Sequence, residues 1–213
     1  MLMQRQREEL VEYGKKLVTH NLTKGTGGNL SIYDREKGLM AITPSGIDFF
    51  EIRPKDIVLM DREAKVVEGE RKPSSEWRMH SEIYRCREDM DAVIHAHTTF
   101  ATVLACLRWD LPAVHYMIAV AGEDVRCARY ATYGTQELAD YAVAAMEDRK
   151  AVLLANHGIL AGSADLKNAF NIVEEIEYCA EIYYRAKSIG EPVILPQEEM
   201  HLMLGKFGTY FRR

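Results

Sequence analysis

The stretch "AVIHAHTTFA", Ala92–Ala101, contains the pattern on which the predicted fold and site both depend. It begins like a buried strand and then places two histidines, His95 and His97, with a single alanine between them. Successive side chains of a strand point to opposite faces, so the two imidazoles lie on the same face. A pair with this spacing can ligate one metal ion, and a pair of hydrogen-bonded core histidines is the alternative.

A third histidine follows another apolar run, Ala151–Ala155, which is also predicted to be a buried strand. This residue is His157, and the glycine after it leaves the backbone free to turn. A catalytic zinc ion usually has three protein ligands and one open position, so His95, His97 and His157 are the candidate metal ligands. A hydrolase with an H-x-H-x-D motif is excluded, because Thr99 stands where the aspartate is required.

The other histidines have no spacing typical of a metal site. His80 lies four residues after Glu76 on one predicted helix, so it could approach a metal ion, but a packing or capping role is favoured. His20, His115 and His201 are expected to have ordinary structural or surface roles.

Composition limits the class of protein. The chain has 213 residues, of which 47% are hydrophobic and 28% charged, with a net charge of -5. This mildly acidic balance argues against a general nucleic-acid or anionic-membrane surface. The four cysteines are scattered and are expected to be reduced. The charged N-terminus shows no secretory signal and no stretch could span a bilayer, so we expect a cytoplasmic protein.

Helix and strand signals interleave along the whole chain, and no linker divides it. We therefore expect an α/β fold in a single domain, residues 1–213, with a mixed, mostly antiparallel central sheet and helices on both faces. One helix is predicted to begin near Ser74, and Thr98 or Thr99 is predicted to cap a short helix to Leu107. Asp165 is predicted to cap a long helix.

Three small polar turns could hold an anion. "GTGGN", Gly25–Asn29, can present consecutive backbone N–H groups, although such turns often only reverse the chain. "PSSE", Pro73–Glu76, combines two hydroxyls with a helix start, and a plain N-cap is the alternative. "TPSG", Thr43–Gly46, is weak alone. Together with the histidines, these turns predict a metal site for a phosphorylated small molecule. Glu76 is the best candidate base, unless it is a solvent-exposed first-turn glutamate.

The order of these motifs resembles one known family. They run from "LTKGTGGNLS" through "ITPSGI", "EGERKPSSEWRMH", "AVIHAHTTFA", "PAVHYMIAVAG", "YATYGTQELA" and "LLANHGIL" to "KFGTYFRR". In this order the chain resembles the class II aldolase family, which includes L-fuculose-1-phosphate aldolases and L-ribulose-5-phosphate 4-epimerases. The aldolase branch is the more similar, and the resemblance implies a three-layer αβα fold.

The resemblance also implies roles for individual residues. One zinc ion per subunit would be held by His95, His97 and His157, with Glu76 beside the metal as ligand and catalytic acid/base. The implied phosphate-binding residues are Gly28, Asn29, Ser45, Gly46, Ser74 and Ser75. Family members are homotetramers with active sites between subunits, so Tyr116 would reach a neighbour's site as a proton donor. Tyr133, Phe207 and Tyr210 would line the substrate.

The expected activity is the reversible cleavage of a ketose 1-phosphate to dihydroxyacetone phosphate and an aldehyde. L-fuculose 1-phosphate, which gives L-lactaldehyde, is the leading substrate, and a 5-deoxypentulose 1-phosphate is the alternative. A sugar-phosphate 4-epimerase is less favoured, because that branch carries aspartate at the position of Glu76. A methylthioribulose-phosphate dehydratase is also disfavoured. A non-enzymatic adducin-like interaction module is least favoured, because such modules lack the three histidines.

Overall fold

The computed structural model of the protein describes residues 1–210, and it describes side chains as far as residue 208. The strands are β1 (Asn29–Asp34), β2 (Leu39–Ile42), β3 (Val58–Met60), β4 (Val66–Glu68), β5 (Ala92–Ala96), β6 (Cys127–Ala128), β7 (Ala151–Leu154) and β8 (Gly158–Ser163). The helices are α1 (Gln4–Thr19), α2 (Trp77–Cys86), α3 (Thr99–Leu107), α4 (Gln136–Ala145), α5 (Leu166–Ile189) and α6 (Gln197–Tyr210). Short 3₁₀ helices cover Pro54–Asp56 and Tyr116–Val120.

These eight strands form one sheet in the order β4-β3-β2-β1-β5-β8-β7-β6. Every neighbouring pair is antiparallel except β6 and β7, which are parallel. The sheet is therefore mixed and mostly antiparallel, as the sequence predicted. Strands β1, β5 and β8 occupy its centre; β5 carries His95, and His97 follows its last residue.

Helices cover both faces of the sheet. The side chains of β5 alternate between the two faces: Ala92, Ile94 and Ala96 pack into one hydrophobic cluster, and Val93 packs into the other. Helices α1, α3, α5 and α6 contribute to the first cluster, and α2 and α4 to the second. This arrangement confirms the three-layer αβα fold. The domain limits of 1 and 213 stay a prediction.

Strand β8 was not predicted from the sequence. Its residues are buried on both faces, so they lack the alternation that marks a half-exposed strand. Two of its residues are glycines, and a Cβ on Gly162 would lie 2.5 Å from the Met90 sulfur. Strand β8 pairs with both β5 and β7, and His157 lies in the turn that connects β7 to β8.

One helix start and one helix cap differ from the predictions. Helix α2 begins at Trp77, with Glu76 at the N-cap, so the segment at Ser74 precedes the helix. Thr98 stands at the N-cap of α3, but its buried hydroxyl makes no capping hydrogen bond. Instead, the carboxylate of Glu177 in α5 accepts hydrogen bonds from the backbone N–H groups of Phe100 and Ala101, in the first turn of α3, at 2.7 and 2.9 Å. A carboxylate from a distant helix thus replaces the local threonine cap. The predicted Asp165 cap of α5 is present.

Candidate active site

Three histidines meet at the end of the central strands. Strand β5 ends at Ala96 and His97 follows directly, so His95 and His97 keep the same-face spacing and their Nε2 atoms lie 3.0 Å apart. The β7–β8 turn lies beside this end of β5 and brings in His157. One ligating nitrogen from each of His95, His97 and His157 lies within 4.8 Å of the others.

The imidazole of His95 is fixed in one tautomer. Its Nδ1 lies 2.9 Å from the carbonyl oxygen of Ile159, and a carbonyl only accepts, so Nδ1 carries the proton. The free lone pair of Nε2 then faces the other histidines, which is how metal-ligating histidines are usually oriented. Burial lowers the pKa of His95 to about 3, against the opposing charge of Glu76, so the ring is neutral at physiological pH.

The donor set fits a transition-metal ion such as zinc. Neutral imidazoles are the preferred nitrogen ligands of zinc, and zinc–nitrogen bonds of about 2.0–2.1 Å place tetrahedral ligand atoms roughly 3.3 Å apart. The 3.0 Å separation of the His95 and His97 nitrogens is close to this value. Of the other histidines, His20 and His201 contact surface carboxylates.

Glu76 faces the same nitrogens. Its Oε2 lies 3.2 Å from the His95 Nε2, and its Oε1 lies 3.4 Å from the His157 Nε2. Oε1 is buried and makes no hydrogen bond to any described group, because its contact with His157 lacks hydrogen-bond geometry. Burial raises the pKa of Glu76, but His95, His157 and a hydrogen bond from Asn29 outweigh it, so the pKa is lowered. The result is a buried carboxylate with one oxygen unpaired beside the histidines.

Asn29 and His80 lie behind this carboxylate. The Asn29 Nδ2 donates to the Glu76 Oε2 at 2.9 Å, and its Oδ1 lies 2.5 Å from the His80 Nε2. Asn29 was predicted to bind phosphate, but its side chain is engaged with Glu76 and His80. His80 is fully buried and does not belong to the histidine cluster.

A cavity of about 400 Å³ opens over Glu76. All three polar turns contribute to its wall, with Gly28, Asn29, Ser45, Gly46, Ser74 and Ser75 among the lining residues. His97, His157 and Tyr133 also line it, so substrate groups placed there would reach the histidine cluster. No lysine or arginine of the described part of the chain lines this cavity. An anion bound within one subunit would therefore depend on hydroxyls and backbone N–H groups.

Two glycines allow the close approach of the segments that carry the site. Gly28 has a φ of +80°, and a Cβ there would lie 2.7 Å from the carbonyl oxygen of His95. At Gly158, a Cβ would lie 2.4 Å from the carbonyl oxygen of Ala96 and 3.1 Å from the His97 ring. Larger residues at either position would push apart the strands that carry the histidines.

The predicted aromatic residues do not share one place. Tyr133 lies at the cavity and is 65% exposed. Tyr116 and Phe207 stack on each other, with ring centroids 6.4 Å apart, and neither lines the cavity of its own chain. The side chain of Tyr210 lies outside the described residues.

Three lining residues lie outside the predicted site residues and the three polar turns: Tyr130, Ala131 and Asn156. Asn156 has a φ of +53°, a conformation that asparagine tolerates better than most residues. An asparagine directly before His-Gly was therefore a usable signal for the turn at the site. Tyr130, which is 54% exposed, is the first residue of the "YATYGTQELA" motif, and that motif is its signal in the sequence.

The comparisons with known proteins agree with this geometry. Residues 8–184 match the family described as "Class II Aldolase and Adducin N-terminal domain". The chain belongs to this class II aldolase family. It is 56% identical to the 5-deoxy-D-ribulose 1-phosphate aldolase of Bacillus thuringiensis, over 99% of both chains.

Two further relatives cover nearly the same length. The 5-methylthioribulose-1-phosphate/5-deoxyribulose-1-phosphate aldolase of Rhodospirillum rubrum is 49% identical, over 96% of this chain and 91% of the relative. A solved structure described as an L-fuculose 1-phosphate aldolase is 70% identical, covers 98% of each chain and has a TM-score of 0.96. The class II aldolase fold predicted from the sequence is therefore confirmed, and the protein is placed among aldehyde-lyases. Among the described residues, no helix is both long and apolar enough to cross a membrane.

Proposed function

We propose that this class II aldolase is a cytoplasmic enzyme that reversibly cleaves a deoxyketose 1-phosphate to dihydroxyacetone phosphate and an aldehyde. The observation that carries the proposal is the position of Glu76. Its carboxylate lies within 3.4 Å of the His95 and His157 nitrogens and at the wall of the cavity. An acid/base group, a metal-ligand set and a substrate-sized space thus meet at one point.

The phosphate of the substrate would be held by the turns at Ser45–Gly46 and Ser74–Ser75 together with Gly28. The two serine turns are tied to each other by an antiparallel bridge between Pro44 and Pro73, the residues directly before them, and by the hydrogen bond from Ser74 N to Thr43 O. The turns and their hydroxyls are therefore held in place before substrate binds. Binding energy from a phosphate remote from the cleaved bond would then orient the reacting carbons.

Charge stabilisation and proton transfer would take place at the other end of the cavity. His95, His97 and His157 would hold zinc, which would supply Lewis-acid stabilisation of the negative charge that develops on the ketone half. Cleavage breaks the C3–C4 bond and transfers its electron pair to the ketone half of the substrate. The net proton transfer is from the C4 hydroxyl to C3. Glu76 would deliver the proton to C3 and remove it in the condensation direction.

Tyr116 would accept the C4 hydroxyl proton in the site of a neighbouring subunit. Tyr116 is 47% exposed and contacts Phe207 rather than the cavity of its own chain. An exposed tyrosine on a 3₁₀ helix is available to a second copy of the chain. We therefore propose a homotetramer with sites between subunits, in which Tyr210 also contributes to substrate binding.

Two substrates are proposed, and they differ only in the aldehyde. The two curated relatives named above act, by their names, on 5-deoxyribulose 1-phosphate. Retro-aldol cleavage of that ketose gives acetaldehyde, and we propose it as the first substrate. L-fuculose 1-phosphate, which gives L-lactaldehyde, is the second, because the 70% identical solved structure carries that name. The dihydroxyacetone phosphate half is the same in both.

A cleavage assay would test the proposal. Zinc-loaded protein would be given 5-deoxyribulose 1-phosphate, L-fuculose 1-phosphate and L-ribulose 5-phosphate, and dihydroxyacetone phosphate release would be measured. We expect release from the first two, with the higher kcat/KM for 5-deoxyribulose 1-phosphate. Epimerisation of ribulose 5-phosphate without release of a triose phosphate would overturn the lyase assignment. Failure on every substrate with metal bound would favour an interaction module.

Subunit mixing would test the shared site. Glu76→Gln and Tyr116→Phe protomers, each nearly inactive alone, would be unfolded together and refolded. If Tyr116 acts in a neighbour's site, mixed tetramers contain some sites with both native residues, and activity returns. No recovery in oligomers shown to be mixed, or a monomer by light scattering, would exclude the intersubunit site.

A further inference from the structure

A chain of buried hydrogen bonds leads away from the catalytic glutamate. From Glu76 it runs through Asn29, His80 and Ser31 to Tyr84, with distances of 2.9, 2.5, 2.6 and 2.6 Å. All five side chains belong to buried residues. We propose that His80 is a positioning residue of the aldolase, which fixes the Asn29 amide so that it holds the Glu76 carboxylate. This inference rests on the proposed function of Glu76 as acid/base.

The register of the strands explains why the groups meet. Asn29 is paired with His95 across β1 and β5, and Ser31 lies two residues further along β1 on the same face. Helix α2 packs on that face. His80 comes four residues after Glu76, about one helical turn along α2, so its ring lies over β1 between Asn29 and Ser31. One imidazole thus reaches both strand residues, one with each nitrogen.

Each donor and acceptor in the chain is determined by its neighbour. An ionised carboxylate only accepts, so the Asn29 atom that faces Glu76 is the Nδ2 donor. The other amide atom, Oδ1, faces His80 and only accepts, so the His80 Nε2 carries the proton. The Nδ1 of a neutral imidazole then accepts from the Ser31 hydroxyl, and Ser31 accepts from Tyr84. If the Asn29 amide were flipped, its Oδ1 would take the place of Nδ2 at 2.9 Å from the Glu76 Oε2, and two oxygens that only accept would face each other.

The orientation of the Asn29 amide determines how the Glu76 carboxylate is held. Among the described residues, the bond from Asn29 is the side-chain hydrogen bond that holds this carboxylate, since its Oε1 has no hydrogen-bond partner. If Asn29 were free to flip, Oε2 would lose its donor and the carboxylate could rotate away from the His95 and His157 nitrogens. His80 itself does not line the cavity, so it would act only through Asn29.

Kinetics of two His80 variants would separate positioning from packing. His80→Phe keeps an apolar ring of similar size but removes both hydrogen bonds. His80→Gln keeps an amide donor that can reach the Asn29 oxygen. We expect His80→Phe to lower kcat about 10–100-fold with little change in KM, as for loss of other outer-shell partners, and His80→Gln to recover part of that loss.

Tyr84→Phe is the matched control. It removes one buried hydrogen bond from the same chain but leaves the proton order at His80 and Asn29 intact. If the chain serves stability alone, His80→Phe and Tyr84→Phe should both lower the melting temperature, and the folded variants should keep native kcat. If His80 positions Asn29, His80→Phe should lose far more kcat than its melting temperature accounts for. Native kcat in folded His80→Phe would overturn the proposal.

A measurement without turnover covers the case in which His80→Phe does not fold. NMR of metal-free native protein labelled with ¹⁵N-histidine would report the protonation of the His80 nitrogens at neutral pH. We expect a neutral ring with the proton on Nε2. A proton on Nδ1, or a charged ring, would overturn the proposal whatever the kinetics show. If native protein cleaves no ketose phosphate, the proposed function fails, and this measurement still decides the proton order.

Discussion

The Nδ1 atom of His95 lies 2.9 Å from the carbonyl oxygen of Ile159 on the adjacent strand β8. This bond joins His95, a candidate metal ligand, to the strand that follows His157. One backbone carbonyl therefore fixes both the tautomer and the direction of the His95 ring. The site is therefore organised by strand pairing before any metal binds.

Removal of a cluster histidine should abolish metal binding. We expect purified native protein to hold about one zinc ion per chain, and His95→Ala to lose more than the roughly 10–100-fold affinity typical of outer-shell changes. Metal analysis after dialysis against a zinc buffer would measure this. His201→Ala, at a surface histidine that contacts Glu123, is the control and should keep its zinc. Unchanged zinc in His95→Ala would refute the three-histidine site.

Replacement of Glu76 should separate chemistry from binding. Glu76→Gln keeps the size and an acceptor for Asn29, but it removes the group that transfers protons. We expect kcat to fall about 10²–10⁴-fold with KM and zinc content nearly unchanged. Glu82→Gln, the same change on the same helix at a residue paired with Arg85, should leave kcat unchanged. A small effect on kcat would assign the proton transfer to another residue.

The wall of the cavity should control phosphate affinity. Ser75→Ala removes one hydroxyl from the proposed phosphate site, and a hydrogen bond to a charged group contributes roughly 1.5–3 kcal/mol. We therefore expect KM, and the inhibition constant of inorganic phosphate, to rise roughly 10–150-fold, with zinc content unchanged. Ser188→Ala, at an exposed helix end, is the control. If phosphate inhibits Ser75→Ala as strongly as native protein, the phosphate lies elsewhere.

The sequence predicted the local features of the site better than the contacts between distant segments. "HAH" at the end of an apolar run carries a local signal, because the side-chain spacing of a strand puts His95 and His97 on one face whatever surrounds them. The turns with Gly28, Ser45 and Ser75 likewise carry turn chemistry that is visible in the sequence. These parts depend on short-range geometry, and the structure brings them to one cavity.

Features that depend on distant partners could not be predicted. Strand β8 is buried on both faces, and only its pairing with β5 and β7 distinguishes it from a loop rich in small residues. The cap of α3 comes from Glu177, more than seventy residues away along the chain. The bridge from Glu76 through Asn29 to His80 joins a strand to a helix. No local pattern encodes such contacts.

Crowding at Gly158 should make it intolerant of any side chain. A Cβ there would lie 2.4 Å from the carbonyl oxygen of Ala96, so Gly158→Ala must displace β5 or β8 next to the histidines. Overpacking of this kind costs about 1–3 kcal/mol, which lowers the melting temperature of a chain of this size by roughly 2–12 °C. Gly190→Ala, with no atom within 4 Å of its new Cβ, should melt like native protein. Equal melting temperatures for the two variants would show that this packing is not tight.

Stability should depend on pH through His80. Burial lowers the pKa of His80 to about 4, although Glu76 opposes the shift. Between its unfolded pKa of about 6.5 and pH 4, the unfolded chain therefore takes up a proton that the folded chain does not. The free energy of unfolding should fall as the pH falls through this window, with His80 contributing about 3 kcal/mol in total, and level off below pH 4.

Urea unfolding of metal-free protein at pH 7, 6 and 5 would measure the slope. His80→Gln cannot titrate, so the stability difference between native and variant protein should shrink toward acid pH. A difference that stays constant would mean that His80 takes up its proton equally in both states.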